Sequence, residues 1–335
     1  MRCLGPGRRS YLPYFLCDFN PAKMAWALGN MALHRDPVLD VFALCDDADA
    51  FGALAPGLHI GPFGQRLASE GVDTDVGERV WVEREGFAVL HDVLSAEECA
   101  PLADGITALI SRGLPATFIY AFDETWITGE RLRARVSRAL GHEYVVVEDA
   151  WAWHLSPGTG RGWPAHRGIS HLLLHRQAPE MVNTWVALDD ATTDRACMHA
   201  IPFEDDPGYP SELERTDAPL ETVRALPLTK GHALYWNANL LHWGGRVSAR
   251  ARGPRVAISF SLCRRDARDR FPELAMMENM GSLDLRARTD ILARQIVRYG
   301  ADKPDVSDPV RAWAKTTAEL CRRFGSTSPV IHESQ

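Results

Sequence analysis

Two histidines, a glycine and an arginine stand in an order suited to holding a metal ion. His166 lies in Trp163-Pro164-Ala165-His166-Arg167-Gly168, and His242 lies far downstream in Leu240-Leu241-His242-Trp243-Gly244-Gly245. Arg255 follows soon after, opening Arg255-Val256-Ala257-Ile258-Ser259-Phe260. Two imidazoles and one carboxylate on one face of Fe(II) make the facial triad, which leaves the other positions open. In the His-x-Asp form of that set the carboxylate falls at position 168, where this chain has Gly168. A glycine offers no side-chain ligand. A metal held by His166 and His242 would therefore keep one position without a protein donor.

Other polar residues compete for attention. His171 and His175 form a His-x3-His pair that could bind zinc on a helix, but no Glu follows His171, and Leu172-Leu173-Leu174 between them reads as packing. Either could instead approach the metal's surroundings or a substrate. Arg161, Arg167 and Arg176 flank the first histidine. The ordinary reading is a solvated loop; facing a cleft, they would bind a phosphate or carboxylate. The tryptophans Trp151, Trp153, Trp163, Trp185, Trp236 and Trp243 are dense in one region. They read as core packing or as the wall of a pocket for a flat substrate. His154 and His199 read as structural or pocket-lining, and His232 as exposed.

Several elements must position these residues. Gly86-Phe87-Ala88-Val89-Leu90 reads as a short strand. Ser95 with Glu98 has the form of a capping box, and Cys99, Leu102, Ile106, Leu109 and Ile110 continue at helical spacing to Gly113. Arg131 to Leu140 is a second expected helix. From Tyr144 the pattern becomes β: Tyr144 to Leu155 with Trp151, Trp153 and Leu155 on one face, Met181 to Leu188, Ala233 to Trp236, and Val256 to Leu262. Residues 204–221 are polar and carry prolines, as a surface loop would. After Phe271 the pattern is helical again, through Leu283 to Tyr299 and Val310 to Phe324. Many strands at short spacing suggest an antiparallel sandwich or barrel. The expected organisation is a helical lead-in over 1–79, a strand-rich core over 80–270 and a helical segment over 271–335, as one structural unit.

Composition narrows the function classes. The chain has 335 residues and a net charge of −7, so no global basic field points to a nucleic acid polymer or an anionic membrane. Its seven cysteines are scattered, without a C-x-x-C pair, which argues against a disulfide framework or zinc site and for a reducing cytoplasm. No signal-peptide pattern or membrane-length apolar run is present.

The order of these pieces resembles the phytanoyl-CoA dioxygenase-like family of Fe(II)/2-oxoglutarate enzymes. The resemblance rests on Glu85 to Leu90 before Leu94-Ser95; His166; Asn183-Thr184-Trp185-Val186-Ala187-Leu188-Asp189-Asp190; Cys197-Met198-His199-Ala200-Ile201-Pro202; Lys230-Gly231-His232-Ala233-Leu234; and His242 to Ser259. It implies a mainly β fold with flanking helices, built on a double-stranded β-helix core (the jelly roll of cupins). It implies Fe(II) on His166 and His242, and 2-oxoglutarate paired with Arg255, whose planar fork suits a carboxylate. Ser259, on the same strand face as Arg255, and Trp185 would border that cofactor.

At Gly168 the sequence departs from the hydroxylases of that family and resembles its halogenases, in which Gly or Ala replaces the Asp. The resemblance implies that chloride enters the metal's inner sphere and that chlorine, rather than hydroxyl, reaches an unactivated substrate carbon. The expected partners are O2 and a free small molecule of secondary metabolism. A purine nucleotide is one candidate, with Arg161, Arg167, His171, His175 and Trp153 as substrate contacts. A carrier-tethered group is less favoured. A hydroxylase of the same fold and a non-catalytic ligand-binding relative remain the alternatives.

Overall fold

The computed structural model describes residues 40–61, 63, 82–158, 160, 162–171, 178–300, 303 and 305–324. The chain divides into two compact units, 1–39 and 40–335, and every described residue belongs to the second. Arg161, His175 and Arg176 lie outside the described residues.

Two single-turn helices come first, α1 (Val41–Cys45) and α2 (Ala48–Gly52), capped by the carboxylates of Asp40 and Asp47. Strand β1 (Phe87–Leu90) then leads into α3 (Ala96–Ser111). The capping box forms as expected: Ser95 Oγ accepts from the Glu98 amide at 3.2 Å, and the Glu98 carboxylate accepts from the Ser95 amide at 2.8 Å. Cys99, Leu102, Ile106 and Leu109 are buried along one face. Helix α4 (Asp123–Leu140) begins well before the expected Arg131 and ends on Gly141 at φ 71°. Its early turns carry Thr125, Trp126, Thr128 and Gly129, all buried, so tertiary packing rather than aliphatic periodicity holds them helical.

The strands are β2 (Tyr144–Leu155), β3 (Met181–Ala187), β4 (Met198–Ile201), β5 (Arg224–Leu226), β6 (Ala233–Asn237), β7 (Leu241–Gly244), β8 (Arg255–Arg264) and β9 (Met276–Met277). They make an antiparallel six-stranded sheet in the order β1-β6-β3-β8-β2-β9 and an antiparallel three-stranded sheet in the order β5-β4-β7. Helices α4 and α5 (Leu285–Tyr299) pack on β2, and α6 (Asp308–Phe324) packs on α5. This is the double-stranded β-helix core with flanking helices.

Two local features aim side chains at the site. The β2–β8 register shifts between Val146 and Ala150. Such a bulge re-aims side chains: here Glu148 pairs with Arg294, while Asp149 lines the cavity between the sheets. The 204–221 segment is mostly exposed, as expected of a surface loop, but is tied inward at Asp206. Asp206 is buried and accepts from both terminal nitrogens of Arg167, at 2.6 and 3.0 Å.

Helix α4 meets β8 where a Cβ added to Gly129 would lie 2.9 Å from the Phe260 ring. Phe260 is itself locked edge-on against Tyr120 and Trp126. Gly129→Ala should therefore destabilise the fold by about 1–3 kcal/mol through overpacking, despite a helix-propensity gain of about 1 kcal/mol. Urea denaturation of the two proteins measures the balance, and equal or greater stability of the variant would refute the close contact.

Candidate functional site

His166 and His242 are placed by backbone pairing. The amide of each donates to the carbonyl of the other, both at 3.0 Å. The ladder continues through Gly244 N to Trp163 O at 3.1 Å, Gly162 N to Gly245 O at 3.0 Å and Val247 N to Gly160 O at 3.0 Å. The two chains run so close that a Cβ on Gly162 would stand 2.5 Å from the Gly244 Cα, a distance only glycine tolerates. The imidazole rings consequently lie 4.3 Å apart between centroids.

Each ring is oriented in the same way. His166 Nδ1 donates to the Pro164 carbonyl at 2.8 Å and His242 Nδ1 to the Leu240 carbonyl at 2.9 Å. A carbonyl can only accept, so each Nδ1 carries the proton and each Nε2 keeps its lone pair. That is the arrangement metal-ligating histidines use. Burial holds both rings below the ordinary imidazole pKa, and His242 is pushed down to about 3, with His166 and Arg167 adding to the effect. Both are therefore neutral, the form that binds a metal. The donor set fits a metal ion with two protein ligands.

The rings open on a cavity of about 680 Å³. Gly168 lines it, and a Cβ there would meet Asn183 Nδ2 at 2.8 Å. Asn183 Oδ1 accepts from Ser261 Oγ at 2.9 Å. Ser261 Oγ also lies 3.1 Å from Asp149 Oδ2, and Asp149 Oδ1 accepts from the Tyr299 hydroxyl at 2.7 Å. None of these four polar residues stood out in the sequence as a site residue. Asn183 was one residue of a strand motif, and Asp149 reaches the cavity only because β2 is bulged.

Arg255 is 1% exposed. Its Nη1 donates to the Ala196 carbonyl at 2.9 Å, and its guanidinium lies 5.2 Å from the Trp185 ring and 5.5 Å from the Trp153 ring. Among the described residues no carboxylate pairs with it, and its Nε has no partner. Burial pulls its pKa down to about 9, so it still carries charge at neutral pH. The buried Trp185 Nε1 also lacks a partner. An uncompensated buried cation beside an orphan N–H is a cradle for an anion, and a carboxylate cofactor such as 2-oxoglutarate fits it. Ser259 lines the same cavity, with its hydroxyl donating to the Trp151 carbonyl at 2.9 Å.

The tryptophans settle as wall rather than pure core: Trp151, Trp153, Trp163, Trp185 and Trp236 all line the cavity. Trp153 and Trp163 meet edge-on at 4.8 Å, and the Lys303 ammonium sits over both rings, at 5.2 and 4.2 Å. Trp243 instead stacks on His199. His171 lines the cavity. His232, expected to be exposed, is half-buried against His91. Arg167, expected as a substrate contact, lines the cavity, but its side-chain donors are spent within the protein. Its Nε donates to the Leu213 carbonyl, and its terminal nitrogens to Asp206 and to the Asn239 and Arg215 carbonyls. With every donor engaged in the protein, it anchors the 204–221 segment instead.

Residues 116–254 match the family model described as Phytanoyl-CoA dioxygenase (PhyH). The matched segment contains His166, Gly168 and His242 and stops one residue before Arg255. No curated protein matches the sequence. Among solved structures, AviO1 from Streptomyces viridochromogenes Tue57 is similar at 19% identity, over 58% of this chain and 97% of that one, with a TM-score of 0.47. The non-heme alpha ketoglutarate dependent epimerase SnoN from nogalamycin biosynthesis is similar at 16% identity, over 56% and 82%, with a TM-score of 0.45. The non-heme monooxygenase ThoJ, in a nickel complex, is similar at 15% identity, over 68% and 97%, with a TM-score of 0.46. No helix among the described residues is long and apolar enough to cross a membrane.

The depressed His242 pKa has a consequence for stability. The folded value lies below that of an unfolded histidine, about 6.5, so protons favour the unfolded chain. His242 leaves stability undiminished above that pH and lowers it progressively as pH falls toward about 3. Urea denaturation of the metal-free protein should show lower stability at pH 5 than at pH 7, with a smaller difference in His242→Gln; an unchanged difference in the variant would count against a buried neutral imidazole.

Proposed function

We propose that this protein is an Fe(II)/2-oxoglutarate-dependent halogenase that chlorinates an unactivated C–H of a free small molecule, in the cytoplasm and within secondary metabolism. The observation that carries the reading is Gly168 beside two neutral imidazoles. Among the described residues no group of three His, Cys, Asp or Glu could hold a metal ion, so none of their carboxylates completes a set of three with His166 and His242. His166 and His242 would hold the iron through Nε2. Arg255 and Trp185 would fix 2-oxoglutarate by its carboxylate, and Gly168 would leave room for chloride. Iron, 2-oxoglutarate and O2 supply the oxidising chemistry when bound. The protein's part is to orient the substrate carbon and exclude water.

The aromatic wall of Trp151, Trp153 and Trp163 suits a flat substrate ring. The purine nucleotide expectation keeps that platform but loses Arg167. Arg298, also at the cavity, is then the described arginine placed to meet a substrate anion. A hydroxylase of the same fold is the reading to beat, with a carboxylate from elsewhere in the chain or a water in the third position.

Anomalous diffraction from crystals grown with Fe(II) and 2-oxoglutarate and soaked in bromide tests the halide directly. A bromide peak on the metal is expected in the wild type and none in Gly168→Asp, whose carboxylate must displace Asn183 and take the same position. Aerobic turnover should follow: chlorinated product from the wild type and none from the variant. Hydroxylated product alone, indifferent to added halide, would reject halogenation. For Arg255, replacement by Met should weaken 2-oxoglutarate binding at least about 30-fold, the equivalent of about 2 kcal/mol for a lost buried charge pair. Calorimetry measures it, and an unchanged constant would remove Arg255 from the cofactor site.

A further inference from the structure

We infer that the side-chain amide of Asn183 is the anion-positioning group of this site, donating an N–H to the chloride that takes the coordination position left open by Gly168. The inference rests on the halogenase reading above and adds to it a specific donor.

Four observations carry it. First, Asn183 Nδ2 lies 2.8 Å from where a Cβ of residue 168 would stand. The amide tip occupies the space where any side chain at residue 168 would begin. Second, the side chain is held from behind. Asn183 sits within β3, paired with Trp236 of β6 and Ser261 of β8, and its Oδ1 takes a hydrogen bond from Ser261 Oγ at 2.9 Å. Ser261 Oγ is in turn 3.1 Å from Asp149 Oδ2, and Asp149 Oδ1 accepts from the Tyr299 hydroxyl at 2.7 Å. Third, among the described residues no acceptor takes a hydrogen bond from Nδ2, while Asn183 lines the cavity. Fourth, the histidines cannot serve as donors, because each spends its Nδ1–H on a backbone carbonyl.

Electrostatics sets the orientation of the amide. The Ser261 hydroxyl has one proton and two acceptors in reach, Asn183 Oδ1 at 2.9 Å and Asp149 Oδ2 at 3.1 Å; given to the nearer Asn183 Oδ1, it turns the NH2 end toward Gly168. Turning the amide over would set a carbonyl oxygen against the anion, so a bound anion itself selects the NH2 orientation. Position 168 and position 183 then work as a pair. Glycine removes the protein's own carboxylate, and asparagine supplies a neutral donor to the ion that replaces it. An Asp at 183 would be isosteric but would repel a halide or ligate the metal in its place.

The test is an anaerobic chloride titration of the Fe(II)–2-oxoglutarate protein, followed by the visible absorption of the complex, with Fe(II) affinity measured separately by calorimetry. The wild type should show a saturable chloride response. Asn183→Ala and Asn183→Leu should raise the chloride Kd about tenfold or more, as expected for losing one hydrogen bond to a charged group, while the Fe(II) Kd stays within about threefold. Asn183→Asp, which preserves shape and so controls for folding, should abolish the chloride response. Wild-type chloride affinity in the Ala and Leu variants would overturn the inference and leave the halogenase reading standing. Loss of Fe(II) binding in Asn183→Ala would overturn it in another way, by making the amide a metal ligand. A wild type that binds iron and 2-oxoglutarate yet ignores chloride would sink the halogenase reading and this inference together.

Discussion

The reciprocal backbone hydrogen bonds between His166 and His242 are the constraint on which the site depends. They bring together two residues far apart in the chain and set their rings 4.3 Å apart, tilted by 49°. Successive residues in a ladder point to opposite sides, so a slip of one residue would turn one imidazole away from the cavity. The close approach of Gly162 and Gly244 extends that pairing. The carbonyls of Pro164 and Leu240, each two residues before its histidine, then fix both tautomers. The placement of the two imidazoles is a product of main-chain register, with side-chain rotamers following from it.

Three buried arginines show how the fold separates structure from chemistry. Arg167 meets Asp206, and Arg288 meets Asp123 at 2.7 Å, both pairs fully shielded from solvent. A buried cation with a carboxylate and carbonyl partners is compensated within the protein. Arg255 is equally buried but is held by one carbonyl and two indole faces. The fold leaves that charge for something else to balance, and this supports its reading as an anion site. The same logic applies at smaller scale to Trp185 Nε1, a buried donor with no acceptor supplied by the described residues; Asn183 Nδ2, on a partly buried side chain at the cavity, likewise has no acceptor among them.

Much of the architecture was legible because local signals and tertiary environment agreed. The Ser95–Glu98 box started a helix where it should, and the run from Tyr144 to Leu155 is one strand along its whole length. Legibility failed where elements were short or held by contacts. Strands β4, β5 and β7 have three or four residues each, too few for an alternating pattern, and they exist because they pair with one another. The first half of α4 lacks an aliphatic stripe and is kept helical by Trp126 and Gly129 against Phe260. The 204–221 segment reads as a polar loop, yet its Asp206 is buried because Arg167 needs a counter-charge.

The sequence by itself determined the donor types: two histidines in recognisable settings, a glycine where a carboxylate is usual, and an arginine opening a strand. Those are properties of residue identity and order, which a linear chain displays in full. Only the tertiary structure decided which polar groups remain unspent. Arg167 and Arg255 look alike in the sequence, and Asn183 looks like any strand residue. What distinguishes them is whether another part of the chain, brought near by sheet pairing, has already satisfied their hydrogen bonds. That is a property of three-dimensional neighbours, because burial makes every unpaired donor costly while its partners come from distant segments.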